Sequence, residues 1–140
     1  MKYEGTPKFL GLLKAMQDSW GPETSLAGDK LPSDNPARGQ CVVSSLVVQD
    51  FLGGDIVRVH VTGDGIDENH YFNKLADGTA IDVTRKQYED KPITLVDHPP
   101  DLESNGYSSM RERCLADDDT RRRYMLLKGM VDQKLAELQG

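Results

Sequence analysis

A single apolar run constrains the fold of this 140-residue chain more than any other stretch. The run starts at Cys41, directly after Gly39 and Gln40, and it ends at the glycine pair Gly53-Gly54. Its apolar residues do not alternate with polar ones, which favours a buried helix over residues 41–52 with a glycine stop. The valine content leaves a strand as the alternative. We expect the other elements to pack around this helix.

Amphipathic patterns predict one helix near each end of the chain. Apolar residues at three-to-four spacing indicate a helix over residues 7–20, with Thr6 as its N-cap and Pro7 in its first turn. The same spacing indicates a helix over residues 117–138, and three aspartates favour its N-terminal end. Residues 23–38 are rich in turn-forming residues and are expected to form a loop.

Short alternating segments predict a small sheet between these helices. Strands are expected over residues 55–62, 70–75, 79–84 and 93–96. The acidic, turn-rich residues 63–69 are expected to separate the first two strands, and Ala76-Asp77-Gly78 is expected to join the next two. Together the elements predict one α+β domain over residues 1–140. It consists of a small antiparallel sheet, the helix at Cys41 packed on that sheet, and flanking N- and C-terminal helices.

The acidic composition narrows the classes of partner. The net charge is −6 and the pI is about 5.0, which disfavours binding to nucleic acid or to an anionic membrane surface. No run of about 18 apolar residues is present, so no membrane span is expected, and the first residues do not have the pattern of a signal peptide. We therefore expect a cytoplasmic protein whose two cysteines are free thiols.

Cys41 lies where the predicted helix begins, and this position suits a catalytic thiol. A thiol is nucleophilic as its thiolate, and the unpaired N–H groups and the dipole at a helix N-terminus favour an anion. The same N–H groups can bind the oxyanion of a tetrahedral intermediate, and the amide of Gln40 is a further candidate donor. For an isolated cysteine in an apolar helix, a buried and unreactive thiol is the structural alternative.

The predicted hairpin brings a histidine and an aspartate within reach of each other. If its turn has three residues, with Gly78 in the left-handed conformation, His70 and Asp82 become diagonal neighbours on one face of the sheet. Their Cβ atoms then lie within about 7–8 Å, whereas a two-residue turn places them on opposite faces. Cys41, His70 and Asp82 thus match a nucleophile, its base and the residue that orients the base.

Other polar residues are weaker candidates, because turn, cap or core-edge roles explain them as well. The candidates for lining the site are Trp20, Thr24, Ser25 and Asn73. Thr84 and Gln87, just beyond the hairpin, can orient the histidine or make ordinary turn hydrogen bonds. The sequence contains no CxxC, HxxxH or HExxH spacing and no glycine-rich nucleotide motif, so neither a metal nor a cofactor is expected.

The motifs resemble those of a known family. GQC and a helix ending in GG, followed by HYFN-x4-G-x2-IDVT-x2-QY and preceded by SW-x3-TS, are similar to the pattern of the YunG-like family of small bacterial proteins, over about residues 20–88. At lower resolution, the order of Cys, His and Asp on a helix and two strands resembles the transglutaminase-like and papain-like cysteine superfold. By position, this resemblance implies Cys41 as nucleophile, His70 as base and Asp82 as the orienting residue.

Two functions from different classes fit these patterns. The first is a cysteine-dependent acyl-transfer or amide- or peptide-hydrolysing enzyme, which acts on a small molecule or peptide that the sequence does not identify. The alternative is a non-catalytic binding or structural domain that retains the same fold. The reactivity of Cys41 distinguishes the two.

Overall fold

The structure is a computed structural model and describes residues 7–139. The helices of this part of the chain are α1 (Pro7–Ser19), α2 (Cys41–Leu52), α3 (Met110–Leu115) and α4 (Asp118–Gln139). Its strands are β1 (Asp55–Gly63), β2 (Ile66–Lys74), β3 (Ala80–Ile81) and β4 (Thr94–Asp97). Single 3₁₀ turns lie in the loops at Gly28–Lys30 and Arg85–Gln87. The strands follow one another between the first two helices and the last two.

The strands form one antiparallel sheet in the order β3-β2-β1-β4. β1 and β2 pair along all nine residues of each strand. The two residues that join them, Asp64 and Gly65, both have positive φ angles of 54° and 80°, as a type I′ hairpin turn requires. β3 has two residues and β4 has four, so the β1–β2 ribbon is the main body of the sheet.

The helix α2 lies at the centre of the core. One buried cluster joins it to α1 and α4 and contains Leu12, Met16, Val43, Val47, Leu127 and Val131. A second cluster joins it to β1 and α3 through Leu46, Ile56 and Cys114. Burying one large aliphatic side chain stabilises a fold by about 1.5–3 kcal/mol. Because α2 is packed on several sides, its first residue is fixed in position.

Most predicted elements are confirmed. The bounds of α1, α2, β1, β4 and α4 agree with the predictions to within one residue at each end. Thr6, the predicted N-cap of α1, lies outside the described residues. The α+β class with a small antiparallel sheet is also confirmed.

Two local predictions are wrong, and one short helix was not predicted. Residues 66–69 belong to β2 and not to a turn, because the Asp64-Gly65 turn is much shorter than the acidic stretch around it. Of the predicted strand 79–84, only Ala80 and Ile81 pair with β2. The short helix α3 was not predicted, although Ser109 caps it by accepting a hydrogen bond from the Glu112 N–H.

The described helices were considered as candidates for a membrane-spanning segment. Within residues 7–139, no helix combines the length and the apolar composition that crossing a bilayer requires.

Candidate active site

The helix α2 presents Cys41 at its N-terminus. The first intrahelical hydrogen bond runs from the Ser44 N–H to the Gln40 carbonyl at 3.0 Å, so the N–H groups of residues 41–43 have no partner within the helix. The Gln40 side chain makes no capping hydrogen bond to them. These donors lie beside the half-buried Cys41 thiol and favour negative charge at this end of the helix.

A close contact at Gly39 holds the loop that leads into α2. Gly39 has a φ angle of +74°, and a Cβ atom added there would lie 2.4 Å from Ser25 Oγ and 2.9 Å from Ala27 N. The Leu26 N–H donates to the Gly39 carbonyl at 2.9 Å, and the Ser25 hydroxyl donates to the Arg38 carbonyl at 2.7 Å. Glycine therefore allows two stretches of this loop to touch directly before the helix.

Replacing Gly39 with alanine is expected to lower the free energy of unfolding by about 1–2 kcal/mol, since the new methyl group meets backbone atoms at a positive φ. The measurement is urea denaturation at pH 7. Gly106→Ala is the matched control, because Gly106 also has a positive φ (+80°) but has nothing within 4 Å of the added Cβ. Equal losses in the two variants would contradict the close contact.

The β2–β3 hairpin has the three-residue turn that the sequence predicts. The Leu75 N–H donates to the Thr79 carbonyl at 2.8 Å, and Gly78 has a φ angle of 89°. In the resulting register, His70 Nε2–H donates to Asp82 Oδ2 at 2.7 Å. The predicted proximity of this histidine and this aspartate is confirmed.

His70 connects Asp82 with Cys41. The imidazole is fully buried. Burial lowers the pKa of His70, but hydrogen bonds to Asp82 and Cys41, together with their negative charges, outweigh this effect and raise the pKa to about 9. The structure thus brings the three predicted residues together, and we call them the Cys41–His70–Asp82 cluster.

Cys41 opens onto a cleft of about 870 Å³. The cleft lies between the loop before α2, the strand β2 and the segment that contains α3. Its lining includes charged, aromatic and amide side chains, among them Arg38, Glu68, Tyr71, Gln87, Tyr107 and Arg113. The thiol therefore faces a space large enough for a small molecule or a short peptide segment, while His70 lies behind it, out of contact with solvent.

A second polar network, which the sequence reasoning missed, borders Cys41. Arg38 donates through Nη1 and Nη2 to the two carboxylate oxygens of Glu68, at 2.5 and 2.6 Å. The Tyr88 hydroxyl donates to Glu68 Oε2 at 2.8 Å. Although burial raises the pKa of Glu68, these two hydrogen bonds lower it overall. The sequence signal for this network was proximity along the chain. Arg38 lies three residues before Cys41, and Glu68 lies two residues before His70.

The candidate oxyanion donor Gln40 is engaged elsewhere. Its side chain is fully buried. Its Oε1 accepts a hydrogen bond from the Thr24 hydroxyl at 2.8 Å, and its Nε2 donates to the Gly21 carbonyl at 3.1 Å. Thr24 and Ser25 are buried as well and do not line the cleft. All three residues support the loop before α2, and none of them lines the cleft.

Trp20 and Asn73 also have structural positions. The Trp20 indole packs at the edge of the helical core and donates to Ser44 Oγ at 2.9 Å. Asn73 Nδ2 donates to the Ser45 carbonyl at 2.9 Å, which ties β2 to α2. Neither side chain lines the cleft. Gln87 does line it, and its Nε2 lies 3.4 Å from His70 Nδ1.

The second cysteine, Cys114, lines the same cleft but is a weaker candidate for a nucleophile. Both cysteines are free thiols, but Cys114 is buried, and this burial raises its pKa to about 11. Within residues 7–139, no three His, Cys, Asp or Glu side chains are close enough together to hold a metal ion. Cys41 is therefore the cysteine best placed to react with a bound molecule.

The fold and the site define a small α+β protein in which a helix-initiating cysteine, a buried histidine and an aspartate form one cluster. The family model described as "YunG protein" matches residues 8–136, and the chain belongs to this family. A segment of 74 residues is 32% identical to "Uncharacterized protein YunG" from Bacillus subtilis (strain 168); it covers 53% of this chain and 57% of that relative. No solved structure matches the chain, so the likeness to the papain and transglutaminase folds stays a prediction.

Proposed function

We propose that this protein is a cysteine-dependent acyl-transfer or amide-hydrolysing enzyme, with Cys41 as nucleophile, His70 as base and Asp82 as the residue that orients the base. The observation that carries the proposal is the 2.7 Å hydrogen bond from the buried His70 ring to Asp82, on a ring whose pKa is raised by Asp82 and by the nearby Cys41. Such an arrangement fixes the imidazole next to the thiol.

The reaction begins with the proton already on His70, whose pKa is raised to about 9, and Cys41 Sγ attacks the carbonyl carbon of an amide, ester or thioester. The N–H groups at the start of α2 stabilise the negative oxygen of the tetrahedral intermediate. Collapse breaks the bond to the leaving group, which departs with the proton from His70, and the acyl group remains on Sγ as a thioester. Water or an amine then attacks the thioester, and the thiol is restored with release of an acid or a new amide.

The elements that carry the Cys41–His70–Asp82 cluster support a proposal about the fold family as well. Cys41 starts a buried helix, and its histidine and aspartate lie on the neighbouring hairpin. This arrangement is expected of a small papain-like or transglutaminase-like domain that has fewer elements than the usual fold. We further propose that the substrate is a small molecule or peptide in the cytoplasm, and that neither nucleic acid nor a membrane is a partner, because the chain is acidic overall.

Acylation by p-nitrophenyl acetate at pH 7 tests the function. We expect the wild-type protein to release one equivalent of nitrophenolate in a burst and to gain one acetyl group on Cys41, located by mass spectrometry. Cys41→Ser is expected to lose the burst. Cys114→Ala is the matched control and should retain it, because Cys114 is the buried cysteine.

A different pattern of acetylation would contradict the proposal. If acetyl groups appear only on lysines, or if Cys41 reacts no faster in the folded protein than in urea, the thiol is not activated by its surroundings. The non-catalytic binding domain would then be the better description.

A further inference from the structure

We propose that the cleft beside Cys41 selects substrates that carry a carboxylate close to the carbonyl group under attack, and that Arg113 binds this carboxylate. The inference rests on the proposed function, since it concerns the substrate of the same thiol. It depends on the charges that line the cleft and on which of them already have partners.

Three arginines line the cleft, and two of them are paired within the protein. Arg38 binds both carboxylate oxygens of Glu68, at 2.5 and 2.6 Å. Arg123 is 3% exposed and donates through Nε to Asp119 Oδ2 at 2.9 Å. Arg113 is half-buried, and none of residues 7–139 makes a hydrogen bond or an ion pair with its guanidinium. Its positive charge is therefore not compensated locally.

The acidic side chains of the cleft do not cancel this charge. Two carboxylates line it, Glu68 and Asp117. Glu68 is already bound by Arg38 and by the Tyr88 hydroxyl. Asp117 Oδ2 accepts hydrogen bonds from the Thr120 hydroxyl and N–H, at 2.7 and 3.2 Å, because it caps α4. Because Arg38 is paired with Glu68, Arg123 is paired with Asp119 and Asp117 is held by Thr120, Arg113 is the guanidinium of the cleft that has no carboxylate partner within residues 7–139.

The position of Arg113 suits a ligand that also reaches Cys41. Both residues line the same cleft, and Cys114, which follows Arg113, lines it as well. Tyr71 and Tyr107 belong to the same lining, and their hydroxyl groups make no hydrogen bond within the described part of the chain. A guanidinium with nearby hydroxyl donors is a good match for a carboxylate, which accepts several hydrogen bonds at once.

Paired alkylating reagents test this inference. Iodoacetate and iodoacetamide are nearly equal in size, and in each the cysteine thiolate displaces iodide to form a carbon–sulfur bond, but only iodoacetate carries a carboxylate. The measured quantity is the ratio of the two rate constants at Cys41, iodoacetate over iodoacetamide, at pH 8.5 and low salt with mass-spectrometric detection. N-acetylcysteine, alkylated under the same conditions, gives the reference ratio.

We expect the ratio at Cys41 to exceed the reference and to fall by about fivefold in Arg113→Gln. Arg113→Lys keeps the charge and should retain most of the preference. Arg121→Gln changes the net charge equally, but Arg121 is outside the cleft and bound to Asp118, so this variant should keep the wild-type ratio. Added salt should reduce the preference, because it screens partly exposed charges.

The outcomes separate this inference from the proposed function. If Cys41 reacts rapidly with iodoacetamide but its ratio equals the reference, or is the same in Arg113→Gln, the carboxylate site is wrong and the proposed function is untouched. The ratio can also be measured at pH 8.5 when Cys41 has only the reactivity of an ordinary thiol, so a preference lost in Arg113→Gln then supports a binding cleft without catalysis. If the folded protein reacts with neither reagent at Cys41, both proposals fail.

Discussion

Replacing His70 with alanine is expected to slow the alkylation of Cys41 by iodoacetamide at pH 6 by about 30-fold to 100-fold, since an ordinary cysteine is only about 0.3% thiolate at that pH. The pKa of His70 is raised to about 9, so the ring is an imidazolium at pH 6 and places a positive charge near Cys41. The measurement is the rate of Cys41 labelling between pH 5 and pH 9, with the modified residue located by mass spectrometry.

Two further variants make this expectation specific. His70→Gln fills more of the buried site than alanine but carries no charge, so it should be as slow as His70→Ala. His60→Ala removes a different histidine, whose Nδ1 and Nε2 contact Asn69 and Asp67, and it should label at the wild-type rate. A His70→Gln protein that labels as fast as the wild type at pH 6 would show that the imidazolium does not activate Cys41.

Replacing Asp82 with asparagine is expected to lower the free energy of unfolding by about 3 kcal/mol at pH 6 and by only about 1 kcal/mol at pH 8.5. After the opposing effect of burial, the hydrogen bond to Asp82 is the largest influence that raises the pKa of His70 to about 9. A raised histidine pKa means that the folded state binds the proton more tightly than the unfolded chain. The stabilisation is complete below pH 6.5 and is lost as the pH rises towards 9.

Denaturation of both proteins at several pH values between 6 and 8.5 measures this effect. The difference between them is the quantity to compare, because His60, whose pKa is raised by hydrogen bonds to Asn69 and Asp67, titrates in both. Cys114, whose pKa is raised by burial to about 11, begins to affect stability near pH 8.5, where an unfolded thiol titrates, and this effect is common to both proteins as well. A difference that stays constant with pH would mean that Asp82 does not hold the proton on His70.

Local signals in the sequence were sufficient for the elements that carry the cluster. The apolar run closed by Gly53-Gly54 gave the bounds of α2, and the turn ending at Gly78 gave the register that brings His70 to Asp82. Both depend on residues close together in the chain. The turn at Asp64-Gly65 was a comparable signal, but the acidic residues after it were interpreted as an extension of the loop.

The surroundings of the cluster could not be predicted in the same way, because they depend on contacts between distant residues. Glu68 looked like a loop residue, yet its carboxylate is bound by Arg38 from the loop before α2 and by Tyr88. Gln40 looked like a donor for the site, but its side-chain amide is bound to the Thr24 hydroxyl and the Gly21 carbonyl of the preceding loop. The first pairing follows from the way the loop before α2 folds over β2, and the second follows from the way this loop folds back on itself.

The loop before α2 is bonded to α4, and this limits how far the Cys41–His70–Asp82 cluster can be moved to another protein. The Thr24 carbonyl accepts a hydrogen bond from the buried Arg123 at 3.2 Å, and Thr24 in turn holds Gln40, the residue before Cys41. A graft of residues 41–82 onto another scaffold would carry the cysteine, the histidine and the aspartate but not the support that aims the thiol. Chains that share only these three residues at this spacing therefore need not share the site.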